Sequence, residues 1–327
     1  MKEDIKPLLS EEYIISPTCL PFPSQFDIDT LRLFIHWMNL QDYDYETLKA
    51  LVNAKEIKKG FKGWYKGFNI LISDKGITII GSFSNYYVGY SNMLLHNDLK
   101  NAVERLGVEL NLNLHDASLY RVDININFTT DNDVNSYTHH LFTYLSRFKR
   151  LEKVDGVTFK TNSKEMICYN KSKEIFEKKG LIVDNRYRIE FRILKNIKKY
   201  TGMQKIKDLY EPDNYLKLLA MFRMYYFKIK KQRISDIDFR DLRTGKEYEK
   251  HLMLKGIEAK GGDKEVRREI EQLDAQGVFQ NRNQKYRLNK KVNDLLNSKS
   301  LTSIHPLARE LNEKFEEAYN QEKNSKK

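Results

Sequence analysis

The sequence predicts an α+β fold, with a largely antiparallel central sheet, helices on one face of it and a mostly helical C-terminal region. Two observations predict this fold. Between residues 59 and 200, strand-like and helix-like patterns follow one another in the order ββ-α-β-α-ββ-β. After residue 200 the patterns become helical. We therefore divide the 327 residues into an N-terminal helical segment (1–58), an α+β core (59–200) and a helical C-terminal region (201–327).

The first elements follow from local spacing and turn signals. Residues 25–58 are predicted to be helical, because apolar side chains recur at helical intervals in FDIDTLRLFIHWMNL. A strand pair is predicted next, GWYKGFNILIS followed by GITIIGSFS, with the turn signal DKG (74–76) between them. The run SNMLLHNDLKNAVERLGVEL predicts an amphipathic helix that Ser91 would cap and Gly107 would end.

The second half of the predicted core is richer in strands. LYRVDININFTT has the clearest strand alternation in the chain. A helix is predicted over residues 133–150, followed by strands at 157–161 and 165–170 and by the strand RYRIEFRIL. These strands lie close together in the sequence, so we expect them to pair with one another in an antiparallel sheet.

Beyond residue 200 the chain is predicted to form helices over 212–232, 266–273 and 288–296. Between the last two, GVFQNRNQKYRL resembles a short basic hairpin. Helices followed by a basic hairpin are compatible with a winged-helix DNA-binding region. A helical support packed on the sheet is an equally good interpretation.

The charge of the chain favours a polyanionic partner. Lys and Arg number 57 against 45 Asp and Glu, which gives a net charge of +12 and a pI near 9.3. A soluble basic surface without a partner is the alternative. A membrane partner is not favoured, because the basic residues are dispersed and no apolar run approaches the ~20 residues of a span. No secretory signal is visible, and Cys19 and Cys168 form no disulfide framework, so we expect a cytoplasmic protein.

The strand at 121–128 has one apolar and one polar face. Its polar face carries Arg121, Asp123, Asn125 and Asn127. The apolar face must therefore be the core side. Short carboxylate and amide side chains are the ligands that a hard divalent cation needs, so this polar face is a candidate metal site.

The strand at 186–193 repeats this alternation. One of its faces carries Arg186, Arg188, Glu190 and Arg192. A glutamate flanked by arginines can form a structural ion pair, but a neighbouring strand that bears an aspartate favours the metal interpretation. The arginines could then hold phosphates through paired hydrogen bonds.

The run MICYNKSKE offers a candidate nucleophile. Tyrosine in a basic protein is usually a stacking or core residue, but Lys171 shares the strand face of Tyr169, and Glu174 lies just beyond. A tyrosyl oxygen becomes nucleophilic when a cation favours its phenolate, and a metal or Lys171 could be that cation. The sequence has no CxxC, GxxxxGK[ST], GxGxxG or GxSxG motif, so zinc-finger, phosphate-loop, dinucleotide and nucleophile-elbow chemistry have no support.

These segments resemble a known family. LYRVDININF, MICYNKSKE and YRIEFRI are similar, in order and spacing, to the three blocks of rolling-circle replication initiators of the trans-acting plasmid Rep class, akin to phage gene II/X replication proteins. ITIIGSFSNYYVGYSN resembles a further block of the gene II/X proteins, and the match covers about residues 60–200. The resemblance implies a metal-dependent nick, with Mg²⁺ or Mn²⁺, in one strand at a plasmid or phage origin. Tyr169 would attack and remain bound to the 5′ phosphate, assisted by Lys171.

The same resemblance implies further residues and partners. The metal ligands would be Asp123 and Glu190, with Glu174 as a third candidate. The partner would be origin DNA, duplex and single-stranded, together with a host helicase, and a homodimer is compatible with this role.

The predicted DNA contacts lie in both regions. In the core they are the four arginines of the two polar strand faces: Arg121, Arg186, Arg188 and Arg192. In the C-terminal hairpin we expect Arg282, Lys285 and Arg287 to contact duplex DNA. Two alternatives stay open: a non-catalytic DNA-binding protein in which Tyr169 stacks on a base, and a mobilisation relaxase that nicks a transfer origin.

Overall fold

The computed structural model describes five stretches of the chain: residues 24–40, 43–89, 92–235, 242–298 and 301–326. They form an α+β fold with a ten-stranded sheet and a helical C-terminal region, which confirms the predicted fold class. Every neighbouring pair in the large sheet is antiparallel.

The strands and helices follow one another along the chain as two numbered series. The strands are β1 (Gln25–His36), β2 (Lys55–Ile57), β3 (Gly60–Tyr65), β4 (Phe68–Ser73), β5 (Gly76–Ser82), β6 (Ser118–Thr129), β7 (Phe142–Tyr144), β8 (Lys149–Lys153), β9 (Gly156–Lys160), β10 (Lys164–Asn170), β11 (Arg186–Ile193), β12 (Lys230–Lys231), β13 (Arg233–Ser235) and β14 (Thr302–Ile304). The helices are α1 (Tyr45–Leu51), α2 (Phe83–Tyr87), α3 (Leu99–Leu110), α4 (Lys171–Lys179), α5 (Ile197–Thr201), α6 (Pro212–Lys228), α7 (Gly245–Ala259), α8 (Asp263–Ala275), α9 (Arg282–Leu296) and α10 (Pro306–Ser325).

The large sheet has the order β2-β3-β4-β5-β1-β6-β11-β10-β9-β8. The central pair, β1 and β6, therefore joins two halves, one built from β2–β5 and the other from β8–β11. Two small sheets, β12-β7 and β13-β14, connect the end of α6 to other parts of the chain. Among the described helices none is long and apolar enough to cross a membrane.

Helices cover one face of the large sheet, and the opposite face carries the polar side chains of β6 and β11, most of which are also buried. On β6 the covered face carries Val122, Ile124 and Ile126, all fully buried. Helices α6 and α10 pack over this face, where Phe26 of β1 lies edge-on to two rings, Phe222 of α6 at 5.8 Å and Phe315 of α10 at 5.5 Å between ring centroids. Burying such a side chain contributes about 1.5–3 kcal/mol, so this apolar layer holds the strands in register. We call the opposite side of the sheet the open face.

A smaller apolar cluster holds α7, α8 and α9 together, separately from the sheet core. Its buried members are Leu254, Ile257, Ile270, Val292, Leu295 and Leu301. The apolar residues of α6 and α10 belong instead to the sheet core. The C-terminal region is thus mostly helical, as predicted, and the domain division at residues 58 and 200 stays a prediction.

The predicted helix over residues 25–58 is wrong for its first part, which is the central strand β1. Along this strand buried Leu31 and Leu33 alternate with exposed Arg32 and partly buried Phe34. The segment has apolar residues at both helical and strand spacing, and pairing with β5 and β6 decides in favour of the strand. Among the described residues of this segment only α1 is α-helical, and β2 lies within the segment as well.

The predicted helix over residues 133–150 is also wrong. The chain there forms two short 3-10 turns, Val134–Ser136 and His139–Leu141, followed by β7 and the start of β8. Arg147 adopts a left-handed backbone with φ 67°, which a continuous helix does not allow. Pairing of β7 with β12 and of β8 with β9 satisfies the backbone instead.

The predicted basic hairpin before residue 288 is wrong as well, because α9 is one continuous helix from Arg282. Asn281 starts it by accepting hydrogen bonds from the backbone N–H groups of Asn283 and Gln284, a strong helix-initiating signal. The wing of a winged helix is therefore missing from the segment in which it was expected.

Smaller differences concern element ends. The run GWYKGFNILIS is two strands, β3 and β4, rather than one. Helix α3 ends at Leu110, its C-cap Asn111 has a left-handed conformation with φ 52°, and Gly107 lies inside the helix. The proposed cap Ser91 lies outside the described residues. Strands β6, β9, β10 and β11 occupy the positions predicted for them.

Candidate active site

Strand register brings the predicted site residues onto the open face. Arg192 of β11 lies opposite Asp123 of β6, and Arg188 of β11 lies opposite Tyr169 of β10. Glu190 lies between the two arginines on the same face, since side chains alternate along a strand. Residues directly opposite each other on antiparallel strands project to the same side. Asp123, Glu190 and Tyr169 therefore share one face; the sequence predicted the alternation within each strand, and strand pairing brings the three residues to the same side.

The position of Tyr169 follows from the end of its strand. It is the second-last residue of β10, and Asn170 begins α4 by accepting a hydrogen bond of 2.9 Å from the Lys173 N–H. Gly156 lies opposite Tyr169 on β9. A Cβ atom at Gly156 would lie 2.8 Å from the Cβ of Tyr169 and 2.1 Å from the carbonyl oxygen of Cys168. Glycine at this position lets β9 approach the tyrosine closely.

The Tyr169 hydroxyl has no hydrogen-bond partner among the described residues. Burial raises the pKa of Tyr169 well above its usual value, and the guanidinium of Arg188 opposes this shift. The carboxylates of Glu190 and Glu174 raise the pKa further. The phenol is therefore protonated at neutral pH, and it needs a proton acceptor before it can act as a nucleophile.

Arg188 is the cation beside Tyr169, and it is itself buried, with 6% of its surface exposed. Its Nε donates to Oδ1 of Asn127 at 2.7 Å, and its Nη1 lies 3.9 Å from Oδ2 of Asp29. Burial lowers the pKa of Arg188, but the nearby acidic groups of Tyr169, Asp29 and Asp27 outweigh this effect and raise it. Arg188 thus stays charged although it is buried on this face of the sheet.

A relay of amides connects Arg188 to the central strand. Asn127 donates to Oδ1 of Asn125 at 3.4 Å, and Asn125 donates to Oδ2 of Asp27 at 3.0 Å. The other oxygen of Asp27 accepts from the backbone N–H of Leu94 at 2.8 Å. Burial raises the pKa of Asp27 to about 6, and the neighbouring carboxylate of Asp29 adds to the shift.

Asp27 and Asp29 are site residues that the sequence prediction missed. The prediction of a helix over this segment hid them, because a helix would not place them beside the polar faces of β6 and β11. The available signal was the alternation of Phe26, Asp27, Ile28 and Asp29, which has the same pattern as RVDININF of β6.

A second charge cluster surrounds Asp123. Nε of Arg121 donates to Oδ1 of Asp123 at 2.8 Å, and Nε of Arg192 lies 3.5 Å from its Oδ2. Arg192 also contacts Glu190 Oε1 at 2.8 Å and Glu165 Oε2 at 3.4 Å. Burial raises the pKa of Asp123 to about 7; Arg121 lowers it and the charge of Glu190 raises it.

These residues do not form a metal site as they stand. In the described part of the chain, no group of three or more His, Cys, Asp or Glu side chains could hold a metal ion. Asp123 and Glu190 have the hard oxygen donors that Mg²⁺ or Mn²⁺ needs, but both are engaged by Arg192. Glu174 belongs to a different cluster, with Lys171 and Lys178. The predicted metal ligands therefore stay a prediction without support from the geometry.

Lys171 begins α4 and pairs with Glu174 one turn later, with 2.6 Å between Nζ and Oε2. Burial lowers the pKa of Lys171, and the charge of Arg188 lowers it further. Burial alone would raise the pKa of Glu174, but the ammonium groups of Lys171 and Lys178 outweigh it and lower this pKa to about 2. Lys171 thus lies within electrostatic reach of Arg188, at the edge of the Tyr169 site.

The remaining predicted DNA contacts lie in two places. Arg186 is buried at the start of β11, where its Nε contacts Oδ1 of Asp184 at 2.5 Å. Arg282, Lys285 and Arg287 lie on α9, and only the last two turns of that helix bury apolar residues. Lys285 forms ion pairs with acidic residues of α8, at 2.6 and 2.7 Å. Their roles as DNA contacts stay predictions.

Among solved structures, the rolling circle replication initiator protein from Geobacillus stearothermophilus is similar to this chain, with 12% sequence identity and a TM-score of 0.38. The similarity covers 67% of this chain and 89% of that one. No protein-family model and no curated protein sequence matches the chain. A structural similarity of this size does not decide the function, which is therefore argued from the site.

Proposed function

We propose that this chain is a rolling-circle replication initiator that nicks one strand of origin DNA and later rejoins it. The observation that carries the proposal is the position of Tyr169. Its hydroxyl is unpartnered among the described residues and faces the buried cation Arg188 on the open face. The three strands that carry Asp123, Tyr169 and Glu190 are the three segments that resemble initiator blocks.

In the proposed reaction, Oη of Tyr169 attacks the phosphorus of one phosphodiester. The new Oη–P bond forms as the P–O3′ bond breaks, so the 5′ phosphate stays on the tyrosine and the 3′ oxygen leaves. The leaving oxygen takes up a proton to become a free 3′ hydroxyl, which can prime synthesis. In the rejoining step a 3′ hydroxyl attacks the phosphotyrosine, and the bonds form and break in reverse.

The phenolic proton needs an acceptor, and we assign this role to Glu190. Glu190 lies on the same face, two residues along β11 from the Arg188 that lies opposite Tyr169, and its charge raises the pKa of Tyr169. Glu174 is a poor base, because two lysines lower its pKa to about 2. Arg188 offsets the charge that develops on the attacking oxygen and the phosphate, and Lys171 supports it from the start of α4. No step is assigned to a metal ion, and a requirement for Mg²⁺ or Mn²⁺ is a separate part of the proposal.

The proposed partner is origin DNA in both duplex and single-stranded form. A host helicase would extend the unwound region after the nick. Plasmid mobilisation would use the same chemistry at a transfer origin, so the choice of DNA substrate separates these two roles.

The test is a nicking assay on supercoiled plasmids that carry segments of the source replicon, with Mg²⁺, Mn²⁺ or EDTA. We expect open circles and a protein–DNA adduct that resists denaturation, with the DNA on the Tyr169 peptide. Tyr169→Phe should lower the nicking rate by at least about 10³-fold, because the nucleophile is lost. Tyr144→Phe, at a tyrosine that is 51% exposed on β7, is the matched control.

Two outcomes would contradict the proposal. One is full nicking by Tyr169→Phe, or an adduct on another residue. The other is tight binding of the same DNA without cleavage in any metal condition, which would favour the non-catalytic DNA-binding alternative.

A further inference from the structure

The open face continues beyond the candidate active site, across the other half of the sheet. One cross-strand row runs from Trp64 on β3 through Asn69 on β4, Ile80 on β5 and Arg32 on β1 to Arg121 on β6. Arg121 is the residue that binds Asp123. The row therefore connects the far half of the sheet to the site without leaving the open face.

Aromatic side chains lie exposed along this half. Trp64 is 60% exposed and Tyr120 is 48% exposed. Phe34 is partly buried, with its ring centroid 5.7 Å from that of Tyr120. The strands already bury their other faces in the core, so these rings are not needed there. We call Arg32, Phe34, Lys62, Trp64 and Tyr120 the platform.

The charge of this surface is positive. Arg32, Lys55 and Lys62 are exposed, and none of them has a carboxylate partner among the described residues. Nζ of Lys62 lies 5.5 Å from the ring centroid of Trp64, where a cation and an aromatic face combine. On the open face, the positions of β2 to β5, and of β1 from residue 30 onwards, carry no Asp or Glu; the exposed Glu56 of β2 points to the other face.

We propose that the platform binds single-stranded DNA by base stacking and phosphate pairing. Exposed aromatic rings stack on unpaired bases, whereas a duplex hides its base faces, and unpaired cations attract the phosphate backbone. The inference depends on the proposed function, for which it names the path of the displaced or nicked strand. From β3 to β10 the sheet order gives six steps, which at about 4.8 Å each span roughly 29 Å. A strand of several nucleotides can thus extend from the platform to Tyr169.

The chain contains a built-in probe for this interaction. Its two tryptophans are Trp37 and Trp64, 50% and 60% exposed. Trp64 lies on the platform, and Trp37 directly follows β1. The intrinsic tryptophan fluorescence of the full chain therefore reports on this half of the sheet. Titration with an oligothymidylate should quench it, and a duplex of the same length should quench it much less.

Single substitutions on the platform test which of its residues bind the oligothymidylate. Trp64→Ala and Tyr120→Ala should each weaken oligothymidylate binding about tenfold, measured by anisotropy of a labelled strand, because each removes a stacking surface. Arg32→Gln and Lys62→Gln should each reduce the slope of log affinity against log salt by about 0.7. Tyr144→Ala, at an exposed tyrosine outside the large sheet, should bind as the wild type does. Circular dichroism and melting temperature show that each variant is folded.

Unchanged oligothymidylate affinity in both aromatic variants would overturn the proposal, and so would equal losses for single strand and duplex.

Failure of the platform and failure of the proposed function are distinguishable. Tyr169→Phe keeps the platform, so it should bind oligothymidylate normally while it fails to nick. A wild type that nicks, with platform variants that bind normally, refutes the platform alone. Platform variants that bind weakly, in a chain that never nicks, refute the nicking function alone.

Discussion

The two halves of the open face carry similar side chains in opposite states. In the half that holds Tyr169, the basic groups are buried or half-buried and paired with carboxylates: Arg188 faces Asp29, and Arg192 lies between Asp123 and Glu190. On the platform the basic groups are exposed and, within the described residues, have no carboxylate partner. The same sheet therefore presents one surface whose charges are satisfied internally and one whose charges remain available.

This difference separates two roles that arginine and lysine have in DNA-handling proteins. A buried charge loses hydration and persists only when its partners are well placed, so removing one member of a buried pair is strongly destabilising. An exposed cation contributes little to stability, but it can pair with phosphate and release counterions. We therefore expect substitutions in the Tyr169 half to lower folding stability, and substitutions on the platform to weaken DNA binding with little effect on stability.

The largest expected effect is on stability, for Arg188→Gln. The substitution leaves the carboxylates of Asp27 and Asp29 without their cation and removes the hydrogen bond to Asn127. Breaking a buried charge pair from one side costs about 3–5 kcal/mol. Urea unfolding, with the free energy of unfolding extrapolated to zero denaturant, measures the loss.

The matched control is Arg32→Gln on the platform, which should change the free energy of unfolding by no more than about 0.5 kcal/mol. Losses of similar size at Arg188 and Arg32 would break the comparison between the two halves, because they would show that burial and pairing do not distinguish the arginines.

The second prediction concerns pH and Asp27, whose pKa burial raises to about 6. The folded state holds this proton more tightly than the unfolded state, in which the pKa is about 4. The stabilising effect of the protonated carboxyl is therefore complete below pH ~4 and is lost as pH rises through about 6. Between those values the wild type should lose on the order of 2 kcal/mol relative to Asp27→Asn, which does not titrate.

Melting temperature as a function of pH checks this prediction in both proteins. The platform has no carboxylate for comparison, so Asp116 serves as an exposed control; hydrogen bonds from Lys207 and Lys205 lower its pKa to about 2. The contribution of Asp116 to stability is present above pH ~4 and is lost only as pH falls towards 2. The melting temperature of Asp116→Asn should therefore change with pH in parallel with that of the wild type from pH ~4 to 8. Parallel curves for Asp27→Asn and the wild type would contradict the prediction.

The sequence was sufficient for the half of the site built on β6 and β11. RVDININF and RYRIEFRI alternate strictly between apolar and polar residues, and a strand with one buried face leaves only one way to orient them. That alternation placed Asp123 and Glu190 outside the core. The end of β10 is less regular, since Ile167 is buried as well as Met166 and Cys168, and only Tyr169 is partly exposed there.

The rest depends on contacts that a linear sequence does not contain. FDIDTLRLFIHWMNL satisfies both a helical and a strand period, and only its pairing between β5 and β6 makes it the central strand. Asp27 and Asp29 were missed for this reason. Arg192 between Asp123 and Glu190 is a result of register, and it occupies oxygens that the sequence assigned to a metal.

The smallest expected effect applies the same comparison within one helix, α9. Arg282 and Arg287 are exposed and have no carboxylate partner in the described part of the chain, whereas Lys285 pairs with Glu271 and Asp274. If α9 contacts duplex DNA, the two arginines are available for phosphates and the lysine is already occupied.

Arg282→Gln and Arg287→Gln should each reduce the slope of log affinity against log salt by about 0.9, and Lys285→Gln should leave it nearly unchanged. Anisotropy of a labelled origin duplex between about 50 and 200 mM salt measures the slopes. Equal slopes for the three variants would show that pairing does not decide which cations bind DNA, and wild-type slopes throughout would exclude α9 from the interface.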